Sequence, residues 1–209
     1  MPQTPASFAL AGAALGLSAA LAPGPLLTLV LSQTLTHGPA EGVKVGLAPL
    51  VTDAPIIIAA WLAVAAAGGT PTVLGVLSLA GACLLVRYGY ECFKAPPPDA
   101  VRPGTAPRSL WRGVVANFAN PHPYLFWTTV GVPMLLDASR TGTAAVVAFL
   151  AVFYAAIVGG KVMAALLAGR FRHFLGSRAY RVLMAALGLS LVYFAITFAR
   201  DGLALLSRA

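Results

Sequence analysis

Charge is the scarcest feature of this sequence. Asp, Glu, Lys and Arg make up 10% of its 209 residues, while 59% are hydrophobic and the mean hydropathy is +0.84. Soluble domains carry roughly 25% charged residues, so there is too little charge to coat a water-facing surface. That excludes an ordinary soluble domain of this length. Cysteine is nearly missing too: Cys83 and Cys92 form no CxxC and no disulfide framework, and read as packed free thiols. The histidines His37, His122 and His173 are scattered, with no HxxH or Cys/His cluster to mark a transition-metal site. The absence of GxxxxGK[ST] excludes an ATP-driven pump. With no Ser/His/Asp arrangement either, neither an enzyme nor a cofactor is expected. Segments of alternating polarity, the mark of a membrane barrel, are lacking. Lys and Arg are missing from Met1 to Leu35, so the first apolar stretch lacks the basic region of a signal peptide and reads as a retained helix.

What the chain has in abundance is long apolar runs. A spanning helix needs roughly 20 apolar residues, and six stretches meet or approach that: 8–35, 45–67, 72–93, 114–136, 144–168 and 182–199. The fold class expected is therefore an all-α integral membrane protein, a single transmembrane domain over 1–209 with six transmembrane helices. Gly68-Gly69-Thr70-Pro71 reads as a tight turn between the second and third. The loop 95–110 holds Pro96-Pro97-Pro98, Pro103, Gly104 and Pro107, which predicts an extended, mobile connection. It divides the chain into two halves of three helices.

The net charge of +8 comes from 14 Lys+Arg against 6 Asp+Glu. The basic residues fall between apolar runs and do not interleave with aromatics in a polar domain, so nucleic acid is not an expected partner. Lys44 falls between runs one and two; Lys94, Arg102, Arg108 and Arg112 between three and four; Arg170, Arg172, Arg178 and Arg181 between five and six. The other side has Arg140, with Arg200 and Arg208 near the C-terminus. The positive-inside rule then puts these three connections in the cytoplasm and both termini outside. Three helices is an odd number, so the second half enters from the opposite side, as in the inverted repeats of secondary transporters. The first helix of each half carries a proline break, Pro23-Gly24-Pro25 in helix 1 and Pro121-His122-Pro123 in helix 4. Prolines remove backbone donors, and the carbonyls and amides freed inside a membrane must meet protein, water or a ligand.

Two ionisable residues sit inside apolar runs, where they are costly and face a partner or a wet cavity. Asp53 lies about 12 Å from the cytoplasmic end of helix 2, and Lys161 about 11 Å from that end of helix 5, at 1.5 Å per residue. Similar depth predicts an ion pair or a shared cavity. A structural salt bridge with no transport role is the plainer alternative, since buried pairs need not be functional. Thr28, Ser32 and Gln33 follow the first break, Asn117 and Asn120 precede the second, and Thr52 adjoins Asp53. Together they predict a polar pocket bounded by Pro23, Gly24, Pro25 and Pro121. Asp53 there would hold an amino group or exchange a proton, and Lys161 would hold a carboxylate. Arg87 and Glu91 are spaced to pair along helix 3. Gly159-Gly160 allows close helix approach, and Trp61, Trp111 and Trp127 read as interface or packing aromatics.

Pro23-Gly24-Pro25, the Gly46 to Asp53 stretch and Phe118-Ala119-Asn120-Pro121, spread over six helices with a basic loop after the third, resemble the lysine-exporter (LysE/RhtB-type) translocator family. The resemblance covers essentially the whole chain. It implies efflux of amino acids or similar small solutes from a prokaryotic cytoplasm across the plasma membrane, driven by protons, by a protein that dimerises. Thr52 stands where the family often has Gly. His122 replaces a usual Lys, and Lys161 stands in a helix where the best-known exporters have an acidic group, so the substrate does not transfer with the family. Competing readings are a metal-cation exporter of a related fold and a non-transporting membrane assembly protein. The first would need more carboxylate, Cys or His ligands; the second predicts a closed, dry contact around Asp53 and Lys161. A thiol-relay enzyme would need a cysteine beside each proline break, and both cysteines lie in helix 3.

Overall fold

The computed structural model describes residues 4–22, 24–65, 71–94, 107–172 and 177–207. The described residues are helical, with no strand among them. In chain order the helices are α1 (Pro5–Leu21), α2 (Pro25–His37), α3 (Pro39–Gly46), α4 (Ala48–Ala65), α5 (Pro71–Phe93), α6 (Ser109–Phe118), α7 (Pro121–Phe126), a π turn (Trp127–Gly131), α8 (Val132–Thr141), α9 (Thr143–Arg172) and α10 (Ser177–Leu206). Most of the expected tight turn and residues 95–106 of the expected mobile loop lie outside the described residues, as does Pro23.

Proline starts many of these helices, because its missing N–H and fixed φ suit the first helical position. It opens α1, α2, α3 and α7. Thr4 completes the start of α1 with a reciprocal cap: Ser7 N–H donates to Thr4 Oγ1 at 3.3 Å and Thr4 N–H to Ser7 Oγ at 3.0 Å. Gly38 (φ 105°) and Gly142 (φ 130°) make the sharp corners α2–α3 and α8–α9 in a backbone region other residues rarely adopt.

The expected boundaries shift in physical ways. Stretch 8–35 is two helices bent by 60° across residues 22–24. The second stretch begins at Pro39 rather than 45, so Lys44 is helical and paired with Glu41. Stretch 114–136 runs from Ser109 to Thr141 in four pieces. Its π turn ends just ahead of Pro133, which has no N–H to donate into it; within the turn the Thr128 and Thr129 hydroxyls donate back to Tyr124 O (2.8 Å) and Leu125 O (2.6 Å). The last stretch lengthens from 182–199 to Ser177–Leu206. Among the described residues three helices are long and apolar enough to cross a membrane, Pro39–Leu62, Thr143–Phe171 and Arg178–Leu206, and the bent pair α1–α2 makes a fourth if taken as one.

Packing rests on small residues. A Cβ on Gly12 would sit 2.5 Å from Phe149 O, and one on Gly16 2.5 Å from Phe153 O, so α1 lies backbone-close against α9. Gly160 meets Ala20 in the same seam, whereas Gly159 has open space. Gly89 and Gly188 meet reciprocally where α5 packs on α10. Two apolar cores result. One gathers Leu29, Val30, Leu85, Leu191 and Phe198; the other gathers Phe8, Ile56, Trp127, Phe149 and Phe153. Arg87 pairs with Glu91 at 3.4 Å, and Arg112 of α6 joins the same carboxylate.

Candidate functional site

The break between α1 and α2 opens onto a cavity of about 350 Å³, within the roughly 300–1,000 Å³ typical of small-molecule sites. Its polar wall comes from four helices: Asp53 on α4, Asn117 on α6, Asn120 and His122 at the start of α7, and Lys161 on α9. Gly24 and Pro25 form the edge made by the break.

Asp53 is 4% exposed, and its carboxylate is held from three sides. Thr52 Oγ1 lies 3.3 Å from Oδ1, Asn117 Nδ2 donates to the same oxygen at 3.4 Å, and the Tyr154 hydroxyl donates to Oδ2 at 3.4 Å. Asn117 also donates to Thr52 Oγ1 at 2.6 Å, and that hydroxyl lies 3.1 Å from Ala48 O. A carboxylate, two hydroxyls and a carboxamide thus form one connected group.

Lys161 is equally buried, at 4% exposure. Its ammonium donates to Ala19 O at 3.4 Å. Ala19 lies in the last turn of α1, where carbonyls lack intrahelical partners and the helix dipole favours a cation. Among the described residues no ion pair joins Lys161 to Asp53. Of the two arrangements expected for them, the structure has the shared cavity. On the far side of the break α2 begins at Pro25, and no described side chain caps that N-terminus, the end of a helix that attracts negative charge.

The other expected site residues divide. Thr52 is buried behind Asp53 and supports it without lining the cavity. Asn120 lines the cavity while its side chain accepts from His122 N–H at 3.0 Å, capping α7. Pro121 is buried at the first position of α7 and shapes the break from behind. Ser32 is buried elsewhere, donating to Leu29 O at 3.1 Å, because it lies two turns along α2 from Pro25. Thr28 bonds Gly24 O and lies 3.2 Å from Ser190 Oγ, and Gln33 accepts from Ser109. Pro23 is outside the described residues.

Sequence reasoning passed over the apolar wall, made by Leu26, Leu27, Phe126, Trp127, Phe153 and Ile157, and the Tyr154 hydroxyl. Phe153, Ile157 and Lys161 are spaced by four, so one face of α9 carries all three. That spacing was the available signal, and it needed Lys161 as its anchor. His122, read as one of three scattered histidines, also borders the cavity, with its ring 5.4 Å from that of Phe198. Among the described residues no group of three or more His, Cys, Asp or Glu could hold a metal ion.

The model of the LysE type translocator family matches residues 17–202, which takes in every residue of the cavity. A leucine efflux protein of Enterobacter sp. (strain 638) is 29% identical over 130 residues, covering 59% of this chain and 62% of that protein, so the chain spans less than two thirds of that relative's length. No solved structure matches.

Proposed function

The chain belongs to the LysE type translocator family, and from that premise we propose that it is a secondary-active exporter of amino acids, taking a zwitterion into the cavity between Asp53 and Lys161. The observation that carries this reading is that two buried, opposite charges line one cavity without pairing with each other. Buried charges are costly unless partnered. A zwitterion with its ammonium at Asp53 and its carboxylate at Lys161 and the α2 N-terminus would partner both. The cavity is also what a non-transporting assembly protein would have no use for. The relative's name, a leucine efflux protein, supports an amino acid as the cargo.

Asp53 is the single carboxylate among the described residues lining the cavity, which makes it the natural proton carrier once the substrate leaves. Six crossings with a three-plus-three inverted repeat fit the packing. Numbering the six stretches in order, the main contacts join first with fifth (α1 on α9), third with sixth (α5 on α10) and second with fourth (α4 on α6, α7 and α8). Exchanging first with fourth, second with fifth and third with sixth returns the same set, as a two-fold axis in the membrane plane requires.

The test is efflux from prokaryotic cells preloaded with labelled amino acids, at equal membrane expression of wild type, Asp53→Asn and Lys161→Ala. Wild type should speed the loss of some amino acid, both variants should fall to background, and an uncoupler should stop export. If no amino acid leaves faster than from cells lacking the protein, the exporter reading fails. If both variants keep transporting, the two charges are structural.

A further inference from the structure

We propose that the cavity reads its substrate's side chain as apolar, and that Ile157 is the position that decides this. The inference rests on the reading of the cavity as an amino-acid site and goes on to the chemistry of the side chain. Asp53 and Lys161 are the only charged side chains among the described residues lining it. An α-ammonium and an α-carboxylate use both, and no third charge remains to meet a charged side chain. The other polar groups that line it, Asn117, Asn120 and His122, come from α6 and the start of α7 rather than from α9, which carries Lys161.

Two turns from Lys161 on the same face of α9, Phe153 joins Phe126 of α7 and Trp127 of the π turn in a box of aromatic rings. Phe126 and Phe153 stack at 5.5 Å and 11°, and Trp127 stands edge-on to them at 5.3 and 5.4 Å. Trp127 and Phe153 are each 1% exposed, so the box is packed from behind and set before any ligand arrives. Ile157 lies one helical turn from Phe153 and one turn from Lys161. A substrate whose carboxylate meets the Lys161 ammonium therefore passes its side chain over Ile157 on the way to the rings. An apolar side chain is at home there. A charged one would be buried without a partner, which apolar surroundings disfavour strongly, whereas a missing methylene is only weakly discriminated.

The experiment uses the purified full-length protein in liposomes and follows counterflow of labelled leucine against internal leucine, phenylalanine, lysine or glutamate. Counterflow needs no proton gradient, so it separates recognition from coupling. Leucine and phenylalanine should drive exchange at least roughly tenfold better than lysine or glutamate. Ile157→Asp should lower leucine exchange by at least about tenfold and make lysine the better substrate, since its ammonium would then have a carboxylate to meet. Ile157→Ala should weaken leucine and raise phenylalanine relative to it; with Ile157→Asn, it carries the test if Ile157→Asp cannot be recovered folded. Wild type exchanging lysine or glutamate as well as leucine overturns the apolar assignment and leaves the exporter reading standing. Exchange with no amino acid at all sinks both. Unchanged selectivity in the folded Ile157 variants overturns the role of that residue.

Discussion

At Asp53 the carboxylate is held by neighbours that share their hydrogens among several acceptors. Asn117 gives its amide hydrogens to Thr52 and to Asp53, and Thr52 has one hydroxyl hydrogen to place between Ala48 O and Asp53 Oδ1. Removing the hydroxyl while keeping the shape, as in Thr52→Val, leaves Asn117 without its shortest bond. Hydrogen bonds between membrane helices are worth about 0.6 kcal/mol on average and up to about 1.7. That converts to roughly a threefold to fifteenfold rise in the half-saturating substrate concentration, because about 1.4 kcal/mol is tenfold. Thr52→Ser keeps the hydroxyl and should behave like wild type. Efflux rates over a substrate series at matched expression check this; Thr52→Ser as impaired as Thr52→Val would mean that the hydroxyl is not what the site needs from this residue.

Among the elements, the α1–α9 seam shows what close approach does for the site. Gly12, Gly16 and Ala20 recur every four residues on one face of α1 and lie against the backbone of α9 at Phe149, Phe153 and Gly160. The seam holds Ala19 O next to the Lys161 ammonium. Gly16→Ala would put a methyl 2.5 Å from Phe153 O, and overpacking of that kind costs about 1–3 kcal/mol. At about 2–4 °C per kcal/mol for a chain of this size, thermal unfolding of the detergent-purified protein should fall by several degrees; an unchanged midpoint would mean that the helices part without cost. The break at the head of α2 was legible because Pro-Gly-Pro leaves an α-helix no way through, and counting residues along their helices was enough to expect Asp53 and Lys161 in one cavity. Ser32 misled because closeness to a break in sequence was read as closeness in space, although seven residues of helix carry it two turns away. Phe153 could have been found from its spacing to Lys161, but Tyr154, Phe126 and Trp127 were not legible, since aromatics in an apolar run carry no mark of which face they occupy. Gly12 and Gly16 were equally silent until a partner helix was given.

Across the whole molecule, the distribution of charge decides which way the chain sits in the bilayer. Arg108 and Arg112 stand at the head of α6 and Arg170 and Arg178 where α9 gives way to α10, whereas Arg140 is the cation at the α8–α9 corner. On the proposed reading of six crossings, the positive-inside rule would put these arginine-rich connections on the cytoplasmic side, and the α8–α9 corner and residues near the two ends of the chain on the other. Single cysteines in a background with Cys83 and Cys92 replaced by Ser test both number and direction. In intact cells a membrane-impermeant maleimide should label Ala6→Cys and Ser207→Cys, both at exposed positions, and should reach Arg170→Cys only after permeabilisation. Labelling at just one of the two ends would mean an odd number of crossings and would end the inverted-repeat reading. Labelling of Arg170→Cys alone would keep an even number of crossings but turn the protein over.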